Sequence, residues 1–167
     1  MQRSAVEHLT AFRQLKALRF GSIATIITTD FEALYAYKHS DYQRCLQMSS
    51  QNVHLRTPSY VYLEDMWTFP EFIQLMDDDI VSLTALTLIV NRECRDFNEN
   101  VRILQVTLSL YLMTQCQLKL RHSVTSLAQT LDYIEVAERR CPVHRTLDHL
   151  VLKLTRRKIM INLSKIT

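Results

Sequence analysis

Glycine is nearly absent from this sequence, in which Gly21 is the only one among 167 residues. Average usage would supply about twelve. Phosphate-binding loops and nucleophile elbows need glycine where the backbone takes a positive φ or closely approaches a ligand. P-loop, dinucleotide-binding and G-x-S-x-G chemistry are therefore excluded. Because no other reactive constellation stands out, we predict that the chain is not an enzyme and takes no cofactor and no small-molecule substrate.

Long apolar runs are also missing. Residues 1–9 lack the apolar stretch of a signal peptide, and the longest uncharged run, 103–118, is shorter than the roughly 18–20 residues that a membrane-spanning helix needs. The cysteines are scattered and show no short pair spacing; they are Cys45, Cys94, Cys116 and Cys141. We therefore expect reduced thiols in the core of a cytoplasmic protein.

Apolar residues recur at helical spacing along nearly the whole chain, and no segment requires a strand. A chain of this length is expected to form one domain, 1–167. Seven helices are predicted, at about 4–21, 22–38, 42–53, 68–90, 101–120, 123–141 and from 146 onwards. The residues predicted to face inward in the later helices include Ile80, Leu83, Leu86, Val90, Val124, Leu127, Ala128, Leu131, Ile134, Leu147, Leu150, Val151, Leu154 and Ile161. The helix over 101–120 is apolar around its circumference and should be central. Short connections predict antiparallel neighbours, stacked as helix pairs or as an irregular bundle.

Positive charge is concentrated in the second half of the chain. Residues 1–83 hold seven basic and ten acidic residues, whereas residues 84–167 hold thirteen basic and seven acidic ones. The basic surface is predicted to include Arg139, Arg140, Lys153, Arg156 and Arg157. Such a surface is most often a solvated helix face, and the alternatives are binding of nucleic acid or anionic lipid and docking to an acidic protein.

The run 37–46, YKHSDYQRCL, resembles the turn between the two helices of a tetratricopeptide repeat, which usually reads Y-K-x-G-D-Y-x-x-A. Ser40 stands where the repeat has glycine, and Cys45 where it has alanine. Segments 68–83 and 108–123 are similar to uncharacterised animal proteins with such repeats, and in that comparison the chain resembles the C-terminal part of a longer protein. The resemblance implies a right-handed stack of helix hairpins that binds other proteins.

Aromatic residues are the candidates for contact with a partner, because they offer a large apolar area at a small entropic cost. The contact residues proposed from the sequence lie near the repeat-like turn and in the aromatic stretch that follows; they are Tyr35, Tyr37, Tyr42, Arg44, Tyr60, Tyr62 and Trp67. The alternative for the last three is that they seal the seam between two helices.

Three short constellations resemble reactive sites, and the structural interpretation is favoured for each. Asp77, Asp78 and Asp79 are consecutive on a predicted helix, so their side chains diverge by about 100° and should form a solvated face. Cys141, His144 and His149 offer three zinc ligands without a nearby fourth. Cys116 and His122 lack a third orienting group, which predicts a buried thiol. We therefore predict no metal site.

The sequence thus favours a non-enzymatic scaffold of helical-repeat type that binds another protein or a peptide. The alternative is a basic helical adaptor that binds nucleic acid or anionic lipid through the C-terminal helices.

Overall fold

A computed structural model describes residues 21–56, 77–90, 103–141 and 145–165, with the backbone alone at 21–28 and 55–56. These ranges contain six helices: α1 (Gly21–Lys38), α2 (Tyr42–Arg56), α3 (Asp78–Val90), α4 (Gln105–Lys119), α5 (Val124–Arg140) and α6 (Thr146–Leu163). The all-α prediction is confirmed for this part of the chain. None of these six helices is both long and apolar enough to cross a lipid bilayer. The helix predicted over 4–21 lies outside the described residues.

Helix α4 lies at the centre of the described structure. It is buried without interruption from Thr107 to Gln117. On one side, Leu108 and Tyr111 pack in a cluster with residues of α1, and on the other, Leu110 packs in a cluster with residues of α5 and α6. A helix buried all round must be covered by neighbours, and α4 contacts α1, α2, α5 and α6. The predicted central position is confirmed, although the helix begins at Gln105 and not near residue 101.

The helices pack largely in chain order. Helix α1 packs on α2 and α4, and α2 packs on α4. The same pattern recurs one step later, because α4 packs on α5 and α6, and α5 packs on α6. Helix α3 departs from this order and packs on α6.

The turns between α1 and α2 and between α4 and α5 end the preceding helix in the same way. Ser40 has φ 62° and Arg121 has φ 54°, so both occupy the left-handed region. At the first turn, the Ser40 amide donates to the Tyr37 carbonyl at 3.0 Å and the Asp41 amide to the Ala36 carbonyl at 2.9 Å. The second turn repeats this pair of bonds, with amide donors at Arg121 and His122. These bonds form the Schellman motif, which satisfies carbonyls at a helix C-terminus and favours glycine at the left-handed position.

Replacing Ser40 by glycine is expected to stabilise the fold. A residue with a Cβ in the left-handed region costs about 1 kcal/mol relative to glycine, and Ser40→Gly removes that cost while the Schellman bonds stay in place. We expect the free energy of unfolding in urea to rise by about 0.5–1 kcal/mol. Ser40→Val is the control and should lower it, because a β-branched side chain is least compatible with positive φ.

The next helix starts with a side-chain cap after each of these turns. The Arg44 amide donates to Asp41 Oδ1 at 3.2 Å, and the Ser126 amide donates to Ser123 Oγ at 3.3 Å. Both caps agree with the predicted starts, since aspartate and serine favour the N-cap position. The predicted helix over 68–90 is not continuous, because Asp77 is non-helical and α3 begins after it.

Five residues predicted to face inward are instead exposed: Leu86, Val90, Val124, Ala128 and Ile161. Among them, Val90 is 74% exposed and Leu86 is 52% exposed. Threonines occupy the interior of the same helices, at Thr84, Thr87, Thr130 and Thr155. Each threonine hydroxyl donates to a backbone carbonyl one turn earlier, as Thr84 does to Ile80 at 2.8 Å and Thr155 to Val151 at 2.6 Å. A hydroxyl satisfied in this way can be buried, so the face that packs inward differs from the most apolar one.

Candidate functional site

A basic groove lies along α6 where that helix meets the end of α5. Its volume is about 520 Å³ and it is open to solvent. The groove is lined by His149, Lys153, Arg156, Arg157 and Met160 of α6 and by Glu138 of α5. His149, Lys153, Arg156 and Met160 recur at intervals of four and three, and Arg157 directly follows Arg156, so these residues share one broad face of the helix. From His149 to Met160 this face is about 16 Å long, which equals three turns of a helix.

The charges in the groove are only partly neutralised. Arg156 Nη1 lies 3.1 Å from Glu138 Oε2, and this ion pair joins the two walls. Within the described ranges, Lys153 and Arg157 make no ion pair, and both side chains are exposed. Two cations that have no ion pair among the described residues therefore flank a fixed ion pair, with the apolar Met160 side chain, 53% exposed, at one end. An arrangement of this kind can attract carboxylates and also contact an apolar side chain.

Three of the five basic residues predicted from the sequence line this groove: Lys153, Arg156 and Arg157. The other two, Arg139 and Arg140, are exposed at the end of α5 and do not line it. Arg139 forms an ion pair with Glu135 one turn earlier. The sequence did not predict that Glu138, His149 and Met160 belong to this groove. A helical period shows which residues share a face of one helix, but it does not show which two helices pack together.

A buried carboxylate anchors the groove helix from behind. Asp148 is buried, and its Oδ1 accepts a hydrogen bond from the Leu104 amide at 2.8 Å, just before α4 begins. Burial raises the pKa of the Asp148 carboxyl, while the Leu104 amide and the charges of Arg145 and His149 oppose the shift. Asp148 therefore fixes the start of α6 against the central helix and places His149, the next residue, at the groove.

Neutralising Asp148 is expected to change how stability depends on pH. A carboxyl whose pKa is higher in the folded than in the unfolded state favours folding when it is protonated. It therefore reduces stability above its folded pKa, and this reduction disappears as the pH falls through that value. Asp148→Asn keeps an acceptor for Leu104 and removes the charge. We expect the variant to gain stability over the wild type at neutral pH and to lose this advantage at acidic pH, as measured by urea unfolding.

A second substitution at the same position serves as the control. Asp148→Leu leaves the Leu104 amide without this acceptor, which should lower the free energy of unfolding by about 1–3 kcal/mol at every pH. If Asp148→Asn were as destabilising as Asp148→Leu at neutral pH, the carboxylate charge itself would be stabilising and the sign of the pKa shift would be wrong.

The predicted contact residues near the first turn fall into two groups. Tyr35 is exposed and lies against the His39 ring, with 4.0 Å between the ring centroids. Arg44 is also exposed, and its Nη2 lies 3.8 Å from Glu32 Oε2. Tyr37 and Tyr42 instead pack against the core, edge to face at 5.7 Å. The structure thus leaves Tyr35 and Arg44 on the surface. Tyr60, Tyr62 and Trp67 lie outside the described residues.

Asp77 forms a polar cluster that the sequence did not reveal. Its Oδ2 accepts hydrogen bonds from the phenols of Tyr37, at 2.9 Å, and of Tyr111, at 3.1 Å. Lys38 Nζ lies 3.8 Å from the other carboxylate oxygen. Burial and the nearby Asp77 carboxylate raise the pKa of both phenols, so they stay protonated and keep donating.

The prediction of a solvated acidic helix face is thus wrong for Asp77, although Asp78 and Asp79 are exposed. Asp79 Oδ2 pairs with Lys158 Nζ of α6 at 2.6 Å. Lys158 also lies over the Tyr111 ring, 5.5 Å from its centroid. These contacts hold the start of α3 against α1, α4 and α6, so the cluster is a structural clamp.

Among the residues that the structure describes, the cysteine and histidine candidates do not converge on a metal site or on a nucleophile. Cys116 is buried in the core cluster that also contains Cys45. Cys141 is half-buried, and burial followed by the charge of Asp148 raises its pKa to about 11. Among the described residues, no three Cys, His, Asp or Glu side chains are grouped as ligands for a metal ion. His144, the middle residue of the zinc-like motif, lies outside the described ranges.

Comparison of the chain with protein-family models, with curated proteins and with solved structures finds no match. The functional argument therefore depends on the residues and contacts of the chain itself.

Proposed function

We propose that the chain is a non-enzymatic interaction module that binds an acidic segment of another protein in the groove between α5 and α6. The observation that carries the proposal is a pair of exposed cations, Lys153 and Arg157, beside the Arg156–Glu138 ion pair and the exposed Met160. Neither cation has an ion-pair partner in the part of the chain that the structure describes. A partner with carboxylates one helical turn apart can pair with both cations, since they too are one turn apart.

The order of helix contacts supports a helical-repeat architecture for the module. In a stack of two-helix repeats, each repeat contacts its neighbours in sequence. Helices α1 and α2 would form one repeat, α4 and α5 the next, and α6 the first helix of a third. The packing of α1 on α4 and of α4 on α6 is what this stacking requires.

Two residues at the repeat-like turn support the same architecture. The left-handed backbone at Ser40 occurs where the tetratricopeptide repeat has glycine. Cys45, which stands at the position of the small repeat alanine, is fully buried between helices. Ser40 and Cys45 can therefore fill the physical roles of the repeat glycine and alanine. Ser40 allows the sharp turn, and Cys45 allows the two helices to approach closely.

A protein segment fits the groove better than a nucleic acid does. Met160 offers an apolar contact, which a helical peptide with an apolar residue beside its glutamates can use. We also propose a cytoplasmic location for the module, with which the free thiols of Cys45 and Cys116 accord.

The alternative function, a basic adaptor for nucleic acid or anionic lipid, is supported by the exposed Arg139 and Arg140. These residues extend the positive surface beyond the groove. Binding of a polyanion to such a surface would be independent of sequence and would fall steeply with added salt.

Binding of three probes distinguishes the two functions. The first is a fluorescein-labelled helical peptide with glutamates along one face and leucines beside them, and its control has the same composition in scrambled order. The others are a short duplex DNA and vesicles that contain phosphatidylserine. Fluorescence anisotropy should show saturable binding of the ordered peptide, weaker binding of the scrambled one, and weaker binding of DNA and vesicles at physiological salt. Tighter binding of DNA or vesicles than of the ordered peptide would contradict the proposal.

A further inference from the structure

Helix α3 lies against three helices that also pack on one another. Asp77, directly before α3, accepts hydrogen bonds from Tyr37 of α1 and Tyr111 of α4. Asp79, in the first turn of α3, pairs with Lys158 of α6. Helix α1 packs on α4, and α4 packs on α6. The side chains that hold the start of α3 are therefore carried by helices that have contacts of their own.

The surface under the start of α3, which we call the seat, has a polar end and an apolar recess. The polar end consists of two phenols and two ammonium groups, those of Tyr37, Lys38, Tyr111 and Lys158. The recess receives Ile80, which is fully buried in one cluster with apolar residues of α1, α4 and α6. Phenol donors and ammonium groups favour carboxylates, and the recess favours an aliphatic side chain. The seat thus fits a helix that begins with aspartates and continues with an aliphatic residue.

Helix α3 occupies the seat with a small part of its own surface. Of its 13 residues, three are buried: Ile80, Thr84 and Thr87. In its second half, three large apolar side chains are exposed: Leu86, Ile89 and Val90. An element that buries few apolar side chains opens at a lower free energy than the core does. We therefore expect α3 to leave the seat while α1, α4 and α6 stay folded.

We propose that the seat is a docking surface for a helix of another protein, and that α3 is its built-in occupant, which this partner displaces. The partner helix carries aspartates at the positions of Asp77 and Asp79 and isoleucine or leucine at the position of Ile80. At the positions of Thr84 and Thr87 it carries valine, which has the shape of threonine without a hydroxyl. Such a helix avoids the burial of two polar groups, and this difference favours it over α3.

The seat is separate from the groove between α5 and α6, because none of its four polar residues lines that groove. The proposal therefore goes beyond the proposed function and does not depend on it.

The test uses the full chain with Asp77→Ala and Asp79→Ala, which weakens the hold on α3 and leaves every residue of the seat in place. In the wild type, the tethered α3 competes at a high effective concentration. The probe is a fluorescein-labelled peptide of residues 77–90 with Thr84→Val and Thr87→Val, and with glutamine at the exposed positions 86, 89 and 90 for solubility. Fluorescence anisotropy should show saturable binding to this variant, about tenfold or more tighter than to the wild type.

Two controls identify what the probe recognises. A probe with Asp77→Asn and Asp79→Asn should bind the variant about tenfold or more weakly, because hydrogen bonds to a charged acceptor are the stronger ones. Adding Tyr37→Phe and Lys158→Gln to the variant should cause a similar loss, since both substitutions remove partners of the carboxylates. Equal binding of the two probes would overturn the proposal.

A third control separates this proposal from the proposed function. Adding Lys153→Glu and Arg157→Glu to the variant should change the affinity for the probe by less than about threefold. A loss as large as that caused by the seat substitutions would place the probe in the groove between α5 and α6, and the seat would then not be a docking surface.

Hydrogen exchange of the wild-type chain provides a measurement that does not depend on whether the variants fold. After correction for sequence, the amides of α3 should exchange about 100-fold faster than those of α4. An excess of the probe should accelerate the exchange of α3 and leave that of α4 unchanged. Three results would overturn the proposal: α3 amides as slow as those of α4, no effect of excess probe on α3, or no saturable binding to a variant that circular dichroism shows to be folded.

Discussion

Lys153→Glu combined with Arg157→Glu is expected to weaken binding of the ordered acidic peptide by about 10- to 100-fold, or about 1.4–2.7 kcal/mol. Both side chains are exposed in the groove and make no ion pair in the described structure. Reversal therefore replaces two attractive charges by two repulsive ones without disturbing the Arg156–Glu138 pair. Because exposed positions rarely affect folding, the free energy of unfolding should stay within about 0.5 kcal/mol of the wild type.

The matched control is Arg139→Glu combined with Arg140→Glu, which makes the same change in net charge on α5 but outside the groove. Neither Arg139 nor Arg140 lines the groove, and salt at physiological strength weakens the long-range effect of exposed charges. We therefore expect this variant to lose affinity by less than about threefold. An equal loss in both double variants, measured by fluorescence anisotropy, would show that the peptide responds to overall positive charge and not to the groove.

Asn52→Ala is expected to produce the largest loss of stability, about 2–4 kcal/mol. Asp30, Asn52 and Ser109 are buried at the junction of α1, α2 and α4. Asp30 Oδ1 accepts hydrogen bonds from Asn52 Nδ2 at 2.5 Å and from Ser109 Oγ at 3.0 Å. Removing the amide deprives a buried carboxyl of one donor and leaves a cavity, and neither change can be repaired by solvent. Urea unfolding followed by circular dichroism measures the effect.

Gln51→Ala is the control for this substitution, since Gln51 is exposed on the same helix. It should change stability by no more than about 0.5 kcal/mol. Ser109→Ala should fall between the two, near 1 kcal/mol, because it removes one neutral donor and little volume. A loss of less than 1 kcal/mol for Asn52→Ala would mean that the network contributes little to the junction of the three helices.

The sequence predicted the described helices well where residues close in the chain determine the start or the burial of a helix. Ser123 and Asp41 cap the helices as their residue types suggest. The run 103–118 predicted a central helix because apolar residues recur on every side of it, and α4 is buried in this way. Helix starts and the central helix depend on residues close in the chain, so a single sequence contains the information.

Burial was predicted less well, because only apolar residues were expected to face inward and several buried residues are threonines. In α3, the buried positions Ile80, Thr84 and Thr87 recur at intervals of four and three, whereas the prediction chose the more apolar Leu86 and Val90. The two hydroxyls donate to backbone carbonyls of their own helix at 2.8 Å, which makes the threonines acceptable in the core. Composition does not show this bond, since it depends on the rotamer that the neighbouring helix selects.

The candidate site was predicted only in part, because it depends on how separate helices pack against each other. Helical period placed Lys153, Arg156 and Arg157 on an outer face, and this much follows from the sequence. That Glu138 reaches Arg156, and that the two helices leave a groove between them, depends on the packing of α5 on α6. The Asp77 clamp joins residues that lie 34 and 40 positions apart in the chain. No local pattern encodes contacts of this range.

The most direct test of the proposed function is to titrate the isotope-labelled chain with the ordered acidic peptide and follow the amide chemical shifts. The account predicts saturable changes that cluster at Glu138, His149, Lys153, Arg157 and Met160, with little change at Tyr35 and Arg44. Changes that cluster at Tyr35 and Arg44, or at Tyr60, Tyr62 and Trp67, with none along α6, would contradict it.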